Sequence, residues 1–316
     1  MKTIQRANGV MEEVKKVIVG KDESVETIMT AILAGGHVLI EDIPGMGKTT
    51  MALAFAKAMN LKQNRVQFTP DVLPADITGF TMYQKALDRF VYQPGAAMCN
   101  LLLADEINRT SPKTQSALLE VMEEGNVTVD GVTREVPSPF IVIATENPIG
   151  SAGTQMLPES QLDRFMVCIN IGYPKPEEEV EIMRSRREKN PLESVRPALV
   201  EGELVQMQSE VTNIFIHDQV YHYIASLAAA TRECDLLELG ISPRGSLALS
   251  KMAQAKAYLA GRDFVIPADV ENVFYSVAVH RVRVSAKAKL NHKKEEDVLK
   301  QLMEQVTKPS PETGVR

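Results

Sequence analysis

The chain has 316 residues, 44% hydrophobic and 24% charged, with a net charge of −6. This length suits about two domains of ordinary globular composition, and the acidic balance argues against a surface built to neutralise nucleic-acid phosphates. The apolar runs at 101–104 and 141–144 are far too short to span a bilayer.

The N-terminus, MKTIQRANGVMEEVKK, lacks the apolar core of a signal peptide. Cys99, Cys168 and Cys234 are widely spaced and form neither a CxxC nor a disulfide framework, so a reducing cytoplasm is expected. Ile4, Val10, Met11, Val14, Val17 and Ile18 recur near helical spacing and predict a first helix within 3–18; a second covers 23–34. From 37 to 171, short apolar strands at 37–41, 65–68, 100–105, 140–145 and 166–171 alternate with helical segments. That alternation implies a parallel five-stranded sheet with helices on both faces. Gly172-Tyr173-Pro174-Lys175-Pro176 reads as a linker, because two prolines continue neither a ladder nor a helix interior. Beyond it, no strand alternation is evident, and 180–189, 219–232, 243–260 and 268–279 read as amphipathic helices. Ser242 supplies an N-cap, Pro243 the first helical position and Gly261 the residue past the end. The expected organisation is an α/β domain over 1–172, an all-α domain over 177–306 and a disordered tail over 307–316.

Chemistry concentrates in three places. The stretch Ile40 to Thr50, IEDIPGMGKTT, follows a buried strand and precedes a helix. A strand, a glycine loop and a helix in that order make a phosphate cradle, with loop N–H groups and the helix N-terminus aimed at an anion. Asp42, Ile43, Pro44, Gly45, Met46, Gly47, Lys48, Thr49 and Thr50 form the loop; Lys48 would reach the β- and γ-phosphates of a bound nucleotide and Thr49 would hold Mg²⁺. Asp42 stands where the pattern asks for glycine. The second place is the strand end Ala104-Asp105-Glu106, where Asp105 would hold Mg²⁺ and Glu106 activate the attacking water. The third is Asn147, at the end of another buried strand, which would help position that water. Alone, Asp-Glu at a strand end is a solvated turn, and Asn147-Pro148 an Asx turn. Their place behind a phosphate loop gives them a function. The five histidines show no metal-ligand spacing.

The segments ADEINRTSPKTQSALLEVMEEGNVTVDG (104–131), ATENPIG (144–150), LPESQLDRF (157–165) and GISPRGSLAL (240–249) resemble the MoxR family of AAA+ ATPases. The resemblance runs from about residue 5 to residue 290 and admits Asp42 in the loop. It implies an AAA+ P-loop NTPase core with an all-α lid. Lys48, Thr49, Asp105 and Glu106 would take the two Walker roles, Asn147 the first sensor, Arg164 the arginine finger for a neighbour, Arg244 the second sensor, and Val19-Gly20 part of the adenine wall. A hairpin insert over about 69–95, with arms at Gly79-Phe80 and Phe90-Val91-Tyr92, is expected inside the second helix, and a second hairpin over 126–136 turns at Asp130-Gly131. The implied protein is a homo-oligomer, a hexameric ring that remodels or activates protein clients, among them proteins with a von Willebrand A domain. The alternatives are a motor subunit of a magnesium-chelatase-like complex and a DNA-acting motor; neither hairpin has the basic and aromatic interleaving that the latter needs.

Overall fold

The structure, a computed structural model, describes residues 2–42, 45–147, 156–185, 187 and 190–309. Helices α1 (Lys2–Lys15) and α2 (Asp22–Leu33) lead into β1 (Val38–Glu41), α3 (Lys48–Ala58), β2 (Gln63–Gln67) and the single turn α4 (Pro74–Thr78). The hairpin β3 (Gly79–Gln84) and β4 (Arg89–Pro94) follows, then β5 (Leu101–Asp105) and α5 (Pro112–Glu124). A second hairpin, β6 (Asn126–Val129) and β7 (Val132–Glu135), precedes β8 (Ile141–Glu146), α6 (Glu159–Leu162) and β9 (Val167–Ile169).

Strands β2, β5, β8, β1 and β9 lie side by side in that order, all parallel. The central strands are apolar on both faces. Val38, Ile40, Leu101, Leu103, Ile141 and Ile143 enter one core, while Leu39, Leu102, Val142 and Ala144 enter the other. Two-sided burial is why they read as continuous apolar runs. The edge strand β2, Gln-Asn-Arg-Val-Gln, alternates instead, so sequence reasoning starts it late, at Arg65.

The remaining elements are α7 (Pro176–Ser185), α8 (Glu203–Thr212), α9 (Asp218–Glu233), β10 (Leu237–Leu239), α10 (Pro243–Leu259), α11 (Pro267–Ala278), β11 (Arg283–Val284), α12 (Ala286–Leu290) and α13 (Glu295–Gln305). This part is helical, but among the described residues β10 pairs antiparallel with β11, beyond the all-α expectation, and Phe215 bridges Phe264. Each is too short to show an alternation. Helix α7 starts at Pro176 rather than 180, its Glu177-Glu178-Glu179 favouring the dipole of the first turn. Helices α8 and α13 go unread because each buries only three residues. Ser242 caps α10 by accepting from the Gly245 N–H at 3.1 Å, and Gly261 takes φ 75° past its end.

Both hairpins form. Asp130 and Gly131 hold φ of 53° and 74°, as a two-residue turn of this hand requires. The first hairpin differs from expectation in one respect. After β4 the chain turns through 95–100 straight into β5, so the hairpin ends a helical turn instead of interrupting a helix. One core joins α1, α2 and α3 to α8, α9, α10 and α11 in a single apolar body that includes Val10, Ile28, Phe55, Met207, Leu227 and Met252. The other, under α4 and α5, gathers Phe68, Leu118, Leu119 and Phe165.

Candidate nucleotide site

Three strands end side by side in polar residues: β1 runs into Asp42 and the glycine loop, β5 into Asp105-Glu106, β8 into Glu146-Asn147. Parallel strands put these ends on one edge of the sheet, where open α/β sheets bind ligands. The loop returns as α3, with Lys48 its first residue. Gly45 and Gly47 hold left-handed backbone at φ 92° and 84°. Gly47 occupies the N-cap and has no side chain to claim the first-turn N–H groups, which leaves them for an anion.

Lys48 is 8% exposed. Its ammonium donates to the Asp42 carbonyl at 2.5 Å and the Glu146 carbonyl at 3.2 Å, and reaches Asn147 Oδ1 at 3.5 Å. Burial lowers its pKa, opposed by the carboxylates of Asp42, Glu106 and Asp105. The Thr49 hydroxyl donates to Asp105 Oδ2 at 3.3 Å. Thr145 donates to Asp105 Oδ1 at 3.4 Å and accepts from the Glu106 N–H at 2.9 Å. That bond holds Glu106 at φ 57°, a left-handed conformation costing about 1 kcal/mol or more for a residue with a side chain. Arg109 donates to the Glu106 carboxylate at 2.7 Å. Burial pushes the Glu106 pKa up, but Arg109 and Asn147 outweigh it and hold the group below the ordinary carboxylate range. Asn108 Nδ2 donates to the Asn147 carbonyl at 3.0 Å, and the Asn147 N–H returns a bond to Asn108 Oδ1 at 3.4 Å.

Lys48, Thr49, Asp105, Glu106 and Asn147 therefore converge. Beside them, Gly45, Met46, Gly47 and Thr50 share a cavity of about 140 Å³ with Val19, Ile171 and Ile182. Gly20 adjoins Val19 at φ 71°, and a Cβ there would collide with the Glu178 carboxylate. Ile43 and Pro44 lie outside the described residues. Asp42 behaves unlike the rest of the loop. Its carboxylate accepts the N–H groups of Ile171 and Gly172 at 2.9 and 2.7 Å, tying the loop to the linker, and its carbonyl meets Lys48.

Arg164 and Arg244 lie at the opposite edge of the sheet. Arg164 precedes β9, and the Met166 N–H donates to the His37 carbonyl, just before β1 begins, at 2.8 Å. Helix α5 leaves the ligand edge and, over its 13 residues, runs about 20 Å back along the sheet. Its end is fixed by the His37 ring on the Met122 carbonyl at 3.0 Å. There Glu123 receives Arg164 Nε at 2.8 Å and Arg244 Nη2 at 2.6 Å. Arg164 first, then Arg244, holds the Glu123 carboxyl below the usual range. Arg244 occupies the first turn of α10 as expected, but beside Arg164 rather than over Lys48.

Sequence reasoning gives no role to Arg65, Arg109, Thr145 or Glu123. Arg65 donates to Asp105 Oδ2 at 2.7 Å from the neighbouring strand. Its signal is positional: the register sets Gln67 beside Asp105, which is visible only once the strand order is known.

Residues 37–167 match the model of the ATPase family associated with various cellular activities (AAA), and residues 229–302 match the AAA lid domain. The fold and these matches define the class, an AAA core with a helical lid. The chain is 44% identical to the uncharacterised protein YeaC of Bacillus subtilis, over 97% of this chain and 96% of that one. It is 40% identical to the chaperone MoxR1 of Mycobacterium tuberculosis, over 97% of this chain and 82% of that one. A crystal structure from Cytophaga hutchinsonii, of a protein described as a candidate ATPase, superposes with a TM-score of 0.90 at 33% identity, covering 98% of this chain and 96% of that one. The chain belongs to the MoxR family of AAA+ ATPases.

Proposed function

We propose that this protein hydrolyses ATP with Mg²⁺ in a homo-oligomeric, hexameric ring in the cytoplasm and uses the energy to remodel or activate client proteins. The observation that carries the reading is the convergence of Lys48, Thr49, Asp105, Glu106 and Asn147 at the bare N-terminus of α3. The triphosphate lies along the loop and the first turn of α3, with Lys48 against its β- and γ-oxygens. The cavity beside Val19 takes the base. Thr49 and Asp105 would supply the hard oxygen donors that suit Mg²⁺. When bound, the ion neutralises phosphate charge. Arg65 donates to Asp105 Oδ2 at 2.7 Å and so adds positive charge beside the carboxylate that would hold the ion. Glu106 takes a proton from the attacking water, and Asn147 orients that water.

Arg164 and Arg244 point at Glu123, at the far edge of the sheet from their own cradle, which supports a role toward a neighbour. In a head-to-tail ring they meet the cradle of the next subunit. Their side chains are 30% and 43% exposed, so they are open to such a partner. Client contact falls to the first hairpin, where Phe80, Met82, Tyr83, Leu87 and Phe90 are exposed together. Arg134 of the second hairpin lies 4.0 Å over the Tyr92 ring and links the two. The likeness to a protein named as a chaperone supports protein clients, a von Willebrand A domain protein among them.

The test is Glu106→Gln. The variant is expected to bind ATP with wild-type affinity by calorimetry while phosphate release falls about 100-fold or more. EDTA is expected to stop release by the wild type. Near-normal turnover in the variant would overturn the reading.

A further inference from the structure

The turn that carries Arg164 is held by side chains from the lid. Asp163, one residue before Arg164, divides its carboxylate between two lid elements: Oδ1 accepts Arg281 Nε at 2.7 Å and Oδ2 accepts the Ser242 hydroxyl at 2.8 Å. Ser242 caps α10 two residues before Arg244. Arg281 is 4% exposed, and its remaining N–H groups donate to the carbonyls of Asp163 (3.1 Å), Phe165 (2.5 Å), Met166 (3.1 Å) and Val277 (2.5 Å). The His280 ring adds a contact to the Phe165 carbonyl at 3.1 Å. A planar guanidinium with every arm engaged fixes the turn in orientation as well as position. Gly245 lets Arg281 lie against α10, since a Cβ there would come 2.8 Å from Arg281 Cδ.

We propose that Asp163, clamped by Arg281, is a positioning residue that locks Arg164 and Arg244 into one rigid pair, so that both guanidiniums reach the same anion. In the isolated chain that anion is the Glu123 carboxylate, which receives both. In the ring it is the triphosphate of the neighbouring subunit. The inference rests on the reading of Arg164 as a finger acting on a neighbour. It adds that the finger is held by the lid as well as by the core, so the seating of the lid in one subunit sets the arginine pair offered to the next subunit's cradle. Asp163 touches no substrate. It acts through the spacing of two arginines, and a displacement of about 1 Å at a transition-state contact lowers turnover by up to about 100-fold.

The experiment uses the full chain. Asp163→Ala is expected to lower kcat about 10- to 100-fold with KM for ATP held within about twofold, because its own cradle is intact. Mixed with Lys48→Ala subunits, it is expected to recover activity well above the sum of the two variants alone. Recovery arises at interfaces where its sound cradle meets a sound arginine pair. If Asp163→Ala does not fold, Asp163→Asn, which keeps an oxygen for Arg281, takes its place in the same mixture. A raised KM with no recovery, while Arg164→Ala mixed with Lys48→Ala does recover, overturns the positioning role and leaves the finger standing. Failure of both mixtures overturns the finger and this inference together.

Discussion

Glu146 shows how much of the site's chemistry is set by neighbours in space. It ends β8 directly beside Glu41 of β1. Burial, then the Glu41 charge, raises its pKa to about 7, with Lys48 pulling the other way. Glu41 is raised too, by burial and then by Asp42. The folded Glu146 therefore binds its proton more tightly than the unfolded chain does. The fold loses stability as pH rises from about 4.5 to about 7 and carries the full penalty above that. Glu146→Gln removes the charge and keeps the shape. Its stability advantage over wild type is expected to be near zero at pH 4 and on the order of 1–2 kcal/mol at pH 8. Thermal melts at both values check this, and a constant offset between them would contradict the assignment. Lys48, Thr49, Asp105, Glu106 and Asn147 were legible in the sequence because each follows a strand or glycine loop whose type betrays its place. Arg65, Thr145 and Glu123 were not, because their partners are set by sheet order and helix length, which no local window contains.

At the scale of elements, central strands and well-capped helices could be read, while weakly patterned pieces could not. β1, β5 and β8 are buried on both faces, and Ser242-Pro243 announces α10. The alternating edge strand β2, the brief pair β10 and β11, and the narrow apolar stripe of α8 give too little signal for a single sequence. Gly245 tests whether packing or propensity rules α10. Alanine is the better helix former by up to about 1 kcal/mol. At this position its Cβ would meet Ile241 Cγ2 at 2.6 Å and Arg281 Cδ at 2.8 Å. Both neighbours are buried, and Arg281 is held by five hydrogen bonds. Gly245→Ala is therefore expected to destabilise the protein by about 1–3 kcal/mol. A melting temperature equal to or above wild type would show that the Arg281 clamp yields easily.

The whole molecule poses a question that no motif could answer. The family resemblance puts the expected second-sensor arginine, Arg244, on a lid helix, but does not give the direction it faces. The apolar body shared by α1, α2 and α3 with α8 to α11 fixes the lid against the core, and Arg244 then emerges at the far edge of the sheet beside Arg164. An arginine that served its own nucleotide would have to cross the sheet to reach Lys48. Arg244→Ala should therefore behave as Arg164→Ala does. Each alone is expected to lose most turnover, about 1,000-fold for the finger by comparison with other NTPases. Each mixed with Lys48→Ala subunits is expected to regain activity, because a sound cradle then faces a sound arginine pair. Mixing Arg164→Ala with Arg244→Ala should regain little, since every pair in that mixture lacks one guanidinium. Turnover per subunit should also rise with protein concentration as interfaces form. Steady-state phosphate release across the three mixtures and a dilution series measures all of this. If Arg244→Ala stays inactive with Lys48→Ala while Arg164→Ala recovers, then Arg244 serves its own subunit, and the lid must swing away from Glu123 when nucleotide binds.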